Sequence, residues 1–332
     1  MTGPQQLRGA RFAGIGYYVP DVVLTNADFE KTLDTTDEWI VSRTGIRERR
    51  IARPDQATSD LAIEATNRAL ADAGLTPKDI DIILVATATP DMPFPSTACL
   101  IQHRIGATQA AAFDITAACS GFIYGVTIAQ SLIVSGKARR ILVLGVETLS
   151  RIMDYEDRAT CVLFGDGAGA VVMEACEPGD GVLGSYLRSD GSFAELLYLP
   201  GGGSRRPLTE ERLRNREQYV KMKGDGLFKY AVKAMVGAAM EVLREAGLTT
   251  ADIDFVVPHQ ANIRIIDGVL SRLHVPPEKS IINIDRIGNT SSASIPIALG
   301  EAKEKGLIKR GDRILMVAFG GGLTWGALLL KY

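Results

Sequence analysis

The segment AGLTPKDIDIILV, residues 73–85, returns 173 residues later as AGLTTADIDFVVP, residues 246–258. A second pair of segments, RRILVLG at 139–145 and DRILMVA at 312–318, keeps the same order and the same offset. Two matches in phase indicate an internal duplication. We therefore expect two related halves that pack about a pseudo-twofold axis. Because the halves have diverged, they can direct different residues at one shared pocket.

Helices and strands are predicted to alternate along both halves. Helical spacing at 59–75 ends in Ala-Gly, a helix stop signal, and the buried strand DIDIILVATATP follows. The second half repeats this with the helix LFKYAVKAMVGAAMEVLREAGL and the strand DIDFVVP. Such alternation predicts parallel sheets sandwiched between helices. The interruption CEPGDG at 176–181 predicts halves of 1–178 and 179–332, and the loop-rich stretch 189–217 reads as an insertion over one face.

The composition is that of an ordinary globular protein of 332 residues, with 46% hydrophobic and 23% charged residues. A net charge of −2 argues against nucleic-acid binding. No apolar run approaches the ~18–20 residues of a membrane span, and the first residues lack the hydrophobic core of a signal peptide. The four cysteines include no C-x-x-C pair, and the three histidines form no metal-binding motif. We expect a cytoplasmic protein with reduced thiols and no metal.

Three residues at predicted strand-to-helix junctions can do chemistry. Cys119 follows the strand AAFDITAA at the start of a helix, where the helix dipole and free backbone N–H groups favour a thiolate. His259 follows DIDFVVP, at the carboxyl end of a strand, where open α/β sheets place their ligands. Asn289 in IGNTSSAS precedes a helix. Alone, each is more often a core cysteine, a structural histidine or a helix cap.

The motifs around these residues resemble a known family. DITAACSGF, VPHQANIRII, GNTSSASIP and AFGGGLTWG are similar to the motif set of β-ketoacyl-acyl-carrier-protein synthase III, a member of the thiolase superfamily that starts fatty-acid synthesis. The likeness extends to 25–52 and to 157–172. The resemblance implies a five-layer αβαβα fold, a homodimer and a catalytic triad of Cys119, His259 and Asn289.

The implied reaction is a decarboxylative condensation. The Cys119 thiolate attacks a short acyl-CoA and forms an acyl-enzyme. Malonyl-acyl-carrier protein then loses carbon dioxide, while His259 and Asn289 donate hydrogen bonds to the enolate oxygen. The enolate attacks the acyl group, and the backbone N–H groups of Cys119 and Gly321 are expected to hold the resulting oxyanion. CoA and the carrier-protein phosphopantetheine are substrates, so the family implies no cofactor.

Further residues match the family's substrate-binding positions. Trp39 and Arg158 resemble the pair that stacks on the two faces of the CoA adenine. Arg264 resembles the basic residue that receives the acidic carrier protein, and Phe94 the residue that crosses the dimer interface to limit the acyl pocket. Other positions expected to contact CoA or pantetheine are Thr35, Arg43, Asp225 and Phe319. Asp225 stands where the family often has asparagine, and an ionised carboxylate cannot donate a hydrogen bond.

Three other interpretations remain open at this point. A sister enzyme of the same fold would prime a polyketide or join other acyl-CoAs. A nucleotide-binding dehydrogenase is disfavoured because Gly14-Ile15-Gly16 lacks the third glycine of the dinucleotide fingerprint. An inactive paralogue acting as a binding partner is disfavoured by the complete set of Cys119, His259 and Asn289.

Overall fold

The structure, a computed structural model, describes residues 9–332, except for the side chain of Asp225. Its strands are β1 (Gly9–Tyr18), β2 (Val22–Thr25), β3 (Glu48–Ile51), β4 (Ile82–Ala86), β5 (Ala111–Ile115), β6 (Arg140–Thr148), β7 (Asp166–Cys176), β8 (Gly181–Ser189), β9 (Leu197–Tyr198), β10 (Lys221–Met222), β11 (Phe255–Pro258), β12 (Arg313–Gly320) and β13 (Thr324–Lys331). Its α-helices are α1 (Asn26–Glu30), α2 (Asp37–Thr44), α3 (Thr58–Ala73), α4 (Thr97–Ile105), α5 (Gly121–Val134), α6 (Arg158–Cys161), α7 (Glu210–Arg214), α8 (Gly224–Glu245), α9 (Ile263–Leu273), α10 (Ile284–Ile287) and α11 (Ser294–Glu304).

Each half contributes one half-sheet with a repeated strand order. Across residues 9–332 the order is β11-β12-β13-β8-β1-β7-β6-β4-β5, and the two half-sheets join through one parallel pair, Ala10 with Gly181. From the sheet edge inward, the first half reads β5-β4-β6-β7-β1. Counted along the chain within this sheet, these are its third, second, fourth, fifth and first strands. The second half repeats this order as β11-β12-β13-β8. In place of a third strand it has an isolated bridge between Val256 and Ser280.

The prediction of purely parallel sheets is wrong, because the last strand of each half, β7 or β13, runs antiparallel to its neighbours. A short turn from Gly320 to Thr324 joins β12 to β13, and a short turn can connect only antiparallel strands. Cys176 ends β7 and Gly181 begins β8, so the connection between the half-sheets falls at 177–180. The division of the chain at 178/179 stays a prediction.

Five layers follow from which face each strand residue buries. On β12, Ile314, Met316 and Ala318 pack with the central helices α5 and α11, whereas Leu315 and Val317 pack with α8 and α9. The first half-sheet faces the same central helices on one side and α3 and α4 on the other. Because strand side chains alternate between faces, each half-sheet is covered twice. The order is helices, half-sheet, central helices, half-sheet, helices, which is the expected αβαβα fold.

The central helices begin in the same way. A single 3₁₀ turn precedes each of them, Ala118–Ser120 before α5 and Ser291–Ala293 before α11, and the two turns lie 173 residues apart. The first residue of each turn has a positive φ, 45° at Ala118 and 50° at Ser291, which is uncommon for a residue with a side chain. Cys119 and Ser292 therefore occupy equivalent places in the two halves, and the two turns touch.

Most predicted elements are found close to their expected bounds. α3 ends before Gly74, whose φ of 65° is the left-handed conformation that the Ala-Gly signal predicts. α8 begins three residues earlier than Leu227, where the predicted helix starts. The stretch 189–217 forms a 3₁₀ segment, β9 and α7. Over residues 9–332 we find no helix of the length and apolarity needed to cross a membrane.

Candidate active site

One cavity of about 610 Å³ brings both halves together. Cys119 comes from the first half, and His259 and Asn289 come from the second; all three side chains line this cavity. They reach it from three different segments: the turn before α5, the residue after β11 and the loop after α10. The three side chains therefore face one shared space, as a triad that acts on one substrate requires.

Cys119 is buried, with 6% of its surface exposed. Burial raises the pKa of its thiol to about 12, while a hydrogen bond with Ser291 acts in the lowering direction. The α5 N-terminus also favours the thiolate, but such a dipole contributes at most about 2 kcal/mol, or roughly 1.5 pK units. Burial is the larger effect. In the free site, burial therefore favours the neutral thiol over the expected thiolate.

His259 is fixed by β12 and by the start of α11. Its backbone N–H donates to Val317, and its Nδ1 lies 2.7 Å from the Ser294 hydroxyl. If the hydroxyl donates to Nδ1, the ring carries its proton on Nε2, which is the remaining nitrogen for the cavity. Burial lowers the pKa of His259 to about 3. The imidazole is therefore neutral at physiological pH and serves as a hydrogen-bond donor.

Asn289 is held by its backbone and by its own side-chain oxygen. Its N–H donates to Leu163 at 2.9 Å, and its carbonyl accepts from Gly165 at 3.0 Å. Its Oδ1 accepts from the Ser291 N–H at 2.9 Å. The amide nitrogen makes only a long contact of 3.5 Å, to the carbonyl oxygen of Ala261. With the oxygen engaged, the Asn289 side chain presents its N–H groups to the cavity.

The glycine-rich turn after β12 approaches the nucleophile closely. A Cβ atom on Gly320 would lie 2.6 Å from the Cys119 nitrogen and 2.9 Å from its Cβ, so only glycine fits there. Gly320 lines the cavity together with Phe319. Gly321 lies next to Leu197 and Ala118 instead. The oxyanion role of the Gly321 and Cys119 N–H groups stays a prediction.

Aromatic and basic side chains also gather at the cavity. Trp39 and Arg43 line it, and the Arg43 guanidinium carbon lies 4.7 Å from the Trp39 ring centroid. Arg158 reaches the same ring at 4.9 Å and also contacts Asp34. The Thr35 hydroxyl is buried and has no hydrogen-bond partner among residues 9–332. The structure thus brings together three of the residues expected near the nucleotide, Trp39, Arg43 and Arg158.

The remaining predicted residues occupy different surroundings. Arg264, exposed on α9, lines the cavity, and its guanidinium carbon lies 5.6 Å from the Phe228 ring centroid. The Phe94 ring is 86% exposed, and Phe94 is not among the described residues that line the cavity. The predicted role of Asp225 falls on a side chain outside those described. Within residues 9–332 no three His, Cys, Asp or Glu side chains are grouped as metal ligands.

Sequence reasoning missed several contributors. Ser294 orients His259, although it lies in the GNTSSASIP motif that identified Asn289. Asn262 caps α9 and donates from Nδ2 to the Arg43 carbonyl at 3.0 Å, which links the two halves of the chain at the cavity. Leu197 in the insertion and Met222 of β10 line the cavity as well. Short polar residues and a two-residue strand give no periodic signal.

Comparison with known proteins gives one consistent family. The C-terminal profile of 3-oxoacyl-[acyl-carrier-protein] synthase III matches residues 243–332, and the profile named for the same synthase matches residues 113–191. A β-ketoacyl-[acyl-carrier-protein] synthase III of Caldanaerobacter subterraneus is 56% identical over 323 residues, which is 97% of this chain and 98% of the relative. That of Symbiobacterium thermophilum is 52% identical over 98% of this chain and 99% of the relative.

Solved structures agree with the sequence comparisons. The 3-oxoacyl-[acyl-carrier-protein] synthase III of Aquifex aeolicus superimposes with a TM-score of 0.91 at 50% identity, covering 98% of this chain and all of the other. The priming β-ketosynthase of the R1128 polyketide pathway gives 0.91 at 37% identity, covering 99% and 98%. The dehydrogenase alternative is wrong. The chain belongs to the β-ketoacyl-[acyl-carrier-protein] synthase III family and is an acyltransferase of the condensing type.

Proposed function

We propose that this enzyme condenses a short acyl-CoA with malonyl-acyl-carrier protein, giving β-ketoacyl-acyl-carrier protein and carbon dioxide, and so initiates fatty-acid synthesis. One observation carries the assignment. A buried thiol, a neutral imidazole and a carboxamide line the same cavity as an indole flanked by two arginines. A nucleophile and two uncharged donors suit both halves of this reaction.

The first half-reaction is transfer of the acyl group to Cys119. The sulfur forms a bond to the acyl carbon, the bond to the CoA sulfur breaks, and the thiol proton ends on the departing CoA. The cavity near Cys119 is largely apolar at Phe319 and Phe164. A dry site strengthens the hydrogen bonds that receive the oxyanion, and we assign these donors to the N–H groups of Cys119 and Gly321.

The second half-reaction is decarboxylation and carbon–carbon bond formation. Loss of carbon dioxide from the malonyl group leaves an enolate, whose thioester oxygen becomes negative. We assign its stabilisation to His259 Nε2–H and the Asn289 amide. Because burial holds the pKa of His259 near 3, the imidazole donates without a formal charge. The enolate carbon then attacks the acyl group, and the Cys119 sulfur leaves.

CoA binding at Trp39 requires a side-chain movement. An adenine between Trp39 and Arg158 needs a separation of roughly 7 Å, two stacking contacts of about 3.5 Å each. Arg158 lies 4.9 Å from the ring in this structure, so its guanidinium must move outward to admit the base. We assign contacts with the nucleotide and its phosphates to the Arg43 guanidinium, which lies over the Trp39 ring, and to the Thr35 hydroxyl, which is buried in this structure and must become accessible.

The carrier protein is assigned to the face that carries Arg264, since this exposed cation lies at the cavity.

A second copy of the chain is assigned to the face of β5. β5 ends the sheet, and the Asp114 carboxyl of β5 accepts from Thr97 and Ala98, which follow the Phe94 loop. Phe94 would then enter the partner's acyl pocket. We also assign the enzyme to the cytoplasm, where its four free cysteines would stay reduced.

Intact-protein mass spectrometry after exposure to a panel of short acyl-CoAs tests the assignment. We expect an acyl adduct on the wild-type protein and none on Cys119→Ala. His259→Ala and Asn289→Ala should keep the adduct but lose decarboxylation of malonyl-acyl-carrier protein by about 100-fold or more. Equal loss of both steps in all three variants contradicts the division of roles. Product formed only from malonyl-CoA would favour the sister-enzyme interpretation.

A further inference from the structure

A buried carboxyl group, that of Glu147, lies behind Cys119. Glu147 is near the end of β6 and has no exposed surface. Its polar contacts are with backbone N–H and hydroxyl groups, and no Lys, Arg or His of residues 9–332 forms an ion pair with it. An ionised carboxylate without a cation is costly in such a place. The proposed reaction assigns Glu147 no role.

The two oxygens of Glu147 have different partners. Oε2 accepts from the Ala88 N–H at 3.0 Å, from Thr89 Oγ1 at 2.8 Å and from Thr87 Oγ1 at 3.3 Å. Thr89 Oγ1 in turn accepts from the Thr148 N–H, so its own hydrogen is free for Glu147. Oε1 lies 2.9 Å from Ser292 Oγ. Oε2 is thus surrounded by donors, whereas Oε1 contacts the Ser292 hydroxyl.

The Ser292 hydroxyl has one hydrogen but two partners. It lies 2.9 Å from the Ala86 carbonyl oxygen and 2.9 Å from Glu147 Oε1. The carbonyl can only accept, and an ionised carboxylate can only accept. Both contacts are hydrogen bonds only if one more hydrogen is present. A proton on Oε1 supplies it: Glu147 donates to Ser292, and Ser292 donates to Ala86.

Cys119 belongs to the same set of hydrogen-bonding groups. Ser291 lies in the turn that touches the turn of Cys119, and its side chain acts on the pKa of both the Cys119 thiol and the Glu147 carboxyl group. A row of hydrogen bonds from Cys119 through Ser291, Glu147 and Ser292 to Ala86 would need four hydrogens, one from each of the four side chains. An ionised Glu147 leaves three. The row is complete when it runs from Cys119 through Ser291, Glu147 and Ser292 to the carbonyl of Ala86.

We propose that Glu147 is a neutral carboxylic acid and a positioning residue for Cys119, acting through Ser291. Its role in acyl transfer rests on the function proposed above; its protonation does not. Ser291 also donates its N–H to Asn289 Oδ1. The row therefore connects the nucleophile to the loop that carries the carboxamide.

The duplication explains why an acid occupies this position. Glu147 and Gly320 are equivalent residues of β6 and β12, 173 positions apart. Gly320 leaves the Cys119 side open to the cavity, and Glu147 fills the corresponding space against Ser292. In one half, the turn leaves Cys119 open to the cavity. In the other half, the Glu147 side chain covers the equivalent turn at Ser292.

Few titratable groups face Glu147. Cys119 lies across Ser291, and an ionised Glu147 would raise the pKa of that thiol. Asp166 of β7 is the nearest buried carboxyl along the adjoining strand, where it pairs with Thr148. Its oxygens accept from the Ala52 N–H, the Ser150 N–H and the Ser150 hydroxyl. Burial raises the pKa of Asp166 as it does that of Glu147, and the hydrogen bonds to Asp166 act in the lowering direction. Because its partners are all donors, the count of hydrogens requires no proton on Asp166, which makes it the matched control.

Infrared difference spectroscopy of the unliganded protein at pH 7 tests the protonation. Subtracting the spectrum of Glu147→Gln from that of the wild type should leave the carbonyl stretch of a protonated carboxyl group. Subtracting Asp166→Asn should leave carboxylate bands. A carboxylate difference for Glu147→Gln would overturn the proposal, and it would do so whether or not the enzyme forms an acyl adduct.

Stability gives a second readout. A glutamine can accept at one atom and donate to Ser292 with the other, so Glu147→Gln should change Tm by less than about 2 °C. Asp166→Asn turns an amide N–H toward backbone donors and should lower Tm by about 5 °C or more. Equal large losses in both variants would mean that Glu147 also requires its negative charge.

Ser291→Ala tests positioning. It removes the link to Cys119 and leaves the Asn289 contact, which uses the Ser291 backbone. We expect roughly tenfold slower acylation with a Tm within about 2 °C of wild type, since one buried hydrogen bond orders the thiol. A folded Ser291→Ala protein that acylates at the wild-type rate would show that the row does not position Cys119.

Discussion

Cys119 and His259 are both uncharged where they line the cavity, and burial is the cause in each case. Burial raises the pKa of the thiol and lowers the pKa of the imidazole, so the neutral form is favoured in each case. A thiolate–imidazolium pair is therefore not the resting state. In the proposed reaction, the Cys119 thiol must lose its proton as it attacks, and the His259 imidazole is a hydrogen-bond donor throughout.

Alkylation of Cys119 by iodoacetamide should show the raised pKa of this thiol. The reactive thiolate increases tenfold per pH unit below the pKa, so the rate should keep rising through pH 9 without a plateau. Cys119→Ala gives the background from the other cysteines. A plateau reached below pH 7 would show that the helix dipole outweighs burial.

The stacking pair can be tested at single side chains. Trp39→Ala and Arg158→Ala should raise the KM for acyl-CoA by about tenfold and leave the KM for the carrier-protein substrate within about twofold, because each removes roughly 1–2 kcal/mol of stacking. Arg244→Ala removes an exposed arginine of α8 and serves as the control. An unchanged KM for acyl-CoA would reject the adenine assignment.

At the scale of elements, the site depends on two tight approaches between the halves. The turn after β12 touches the backbone of Cys119, and the turn before α11 carries Ser291 and Ser292 against β4 and β6. Neither turn can move without moving the nucleophile or Asn289. Only small residues fit where these turns pack against the strands, since a Cβ at Gly145 would lie 2.3 Å from the Ser292 carbonyl oxygen.

Gly320→Ala should inactivate the enzyme through this close approach. The added methyl group would overlap the Cys119 backbone, so we expect a loss of about 1–3 kcal/mol in unfolding free energy and at least tenfold slower acylation. Gly203→Ala is the matched control, because no atom lies within 4 Å of its added Cβ. Normal acylation by Gly320→Ala would mean that the turn is free to retreat.

For the whole molecule, the sheet ends in an uncovered strand. Within residues 9–332, β5 pairs with β4 alone. Phe113 on β5 is half-exposed, as is Met92 before the exposed Phe94. An edge strand flanked by apolar side chains is a surface that proteins cover. A second copy placed there would extend the sheet and bring Phe94 to the partner.

Phe94→Asp should weaken the proposed dimer by at least about tenfold, since it puts a charge into an apolar contact. The monomer should remain folded, because the ring is 86% exposed within one chain. Light scattering over a dilution series measures the change, with Met240→Asp on exposed α8 surface as the control. If the wild type stays monomeric at every concentration, the assembly is wrong.

The duplication, most helices and strands, and the three residues proposed as the triad can be predicted from the sequence, because hydrophobic period, stop signals and motifs are local properties. Only the folded chain shows that β7 and β13 run antiparallel, that Ser294 orients His259, and that Glu147 lies behind Cys119. Ser292 and Glu147 are 145 residues apart and Gly320 reaches Cys119 from the other half. Such contacts, and the neutrality of the buried thiol, follow from packing between halves, which no local pattern records.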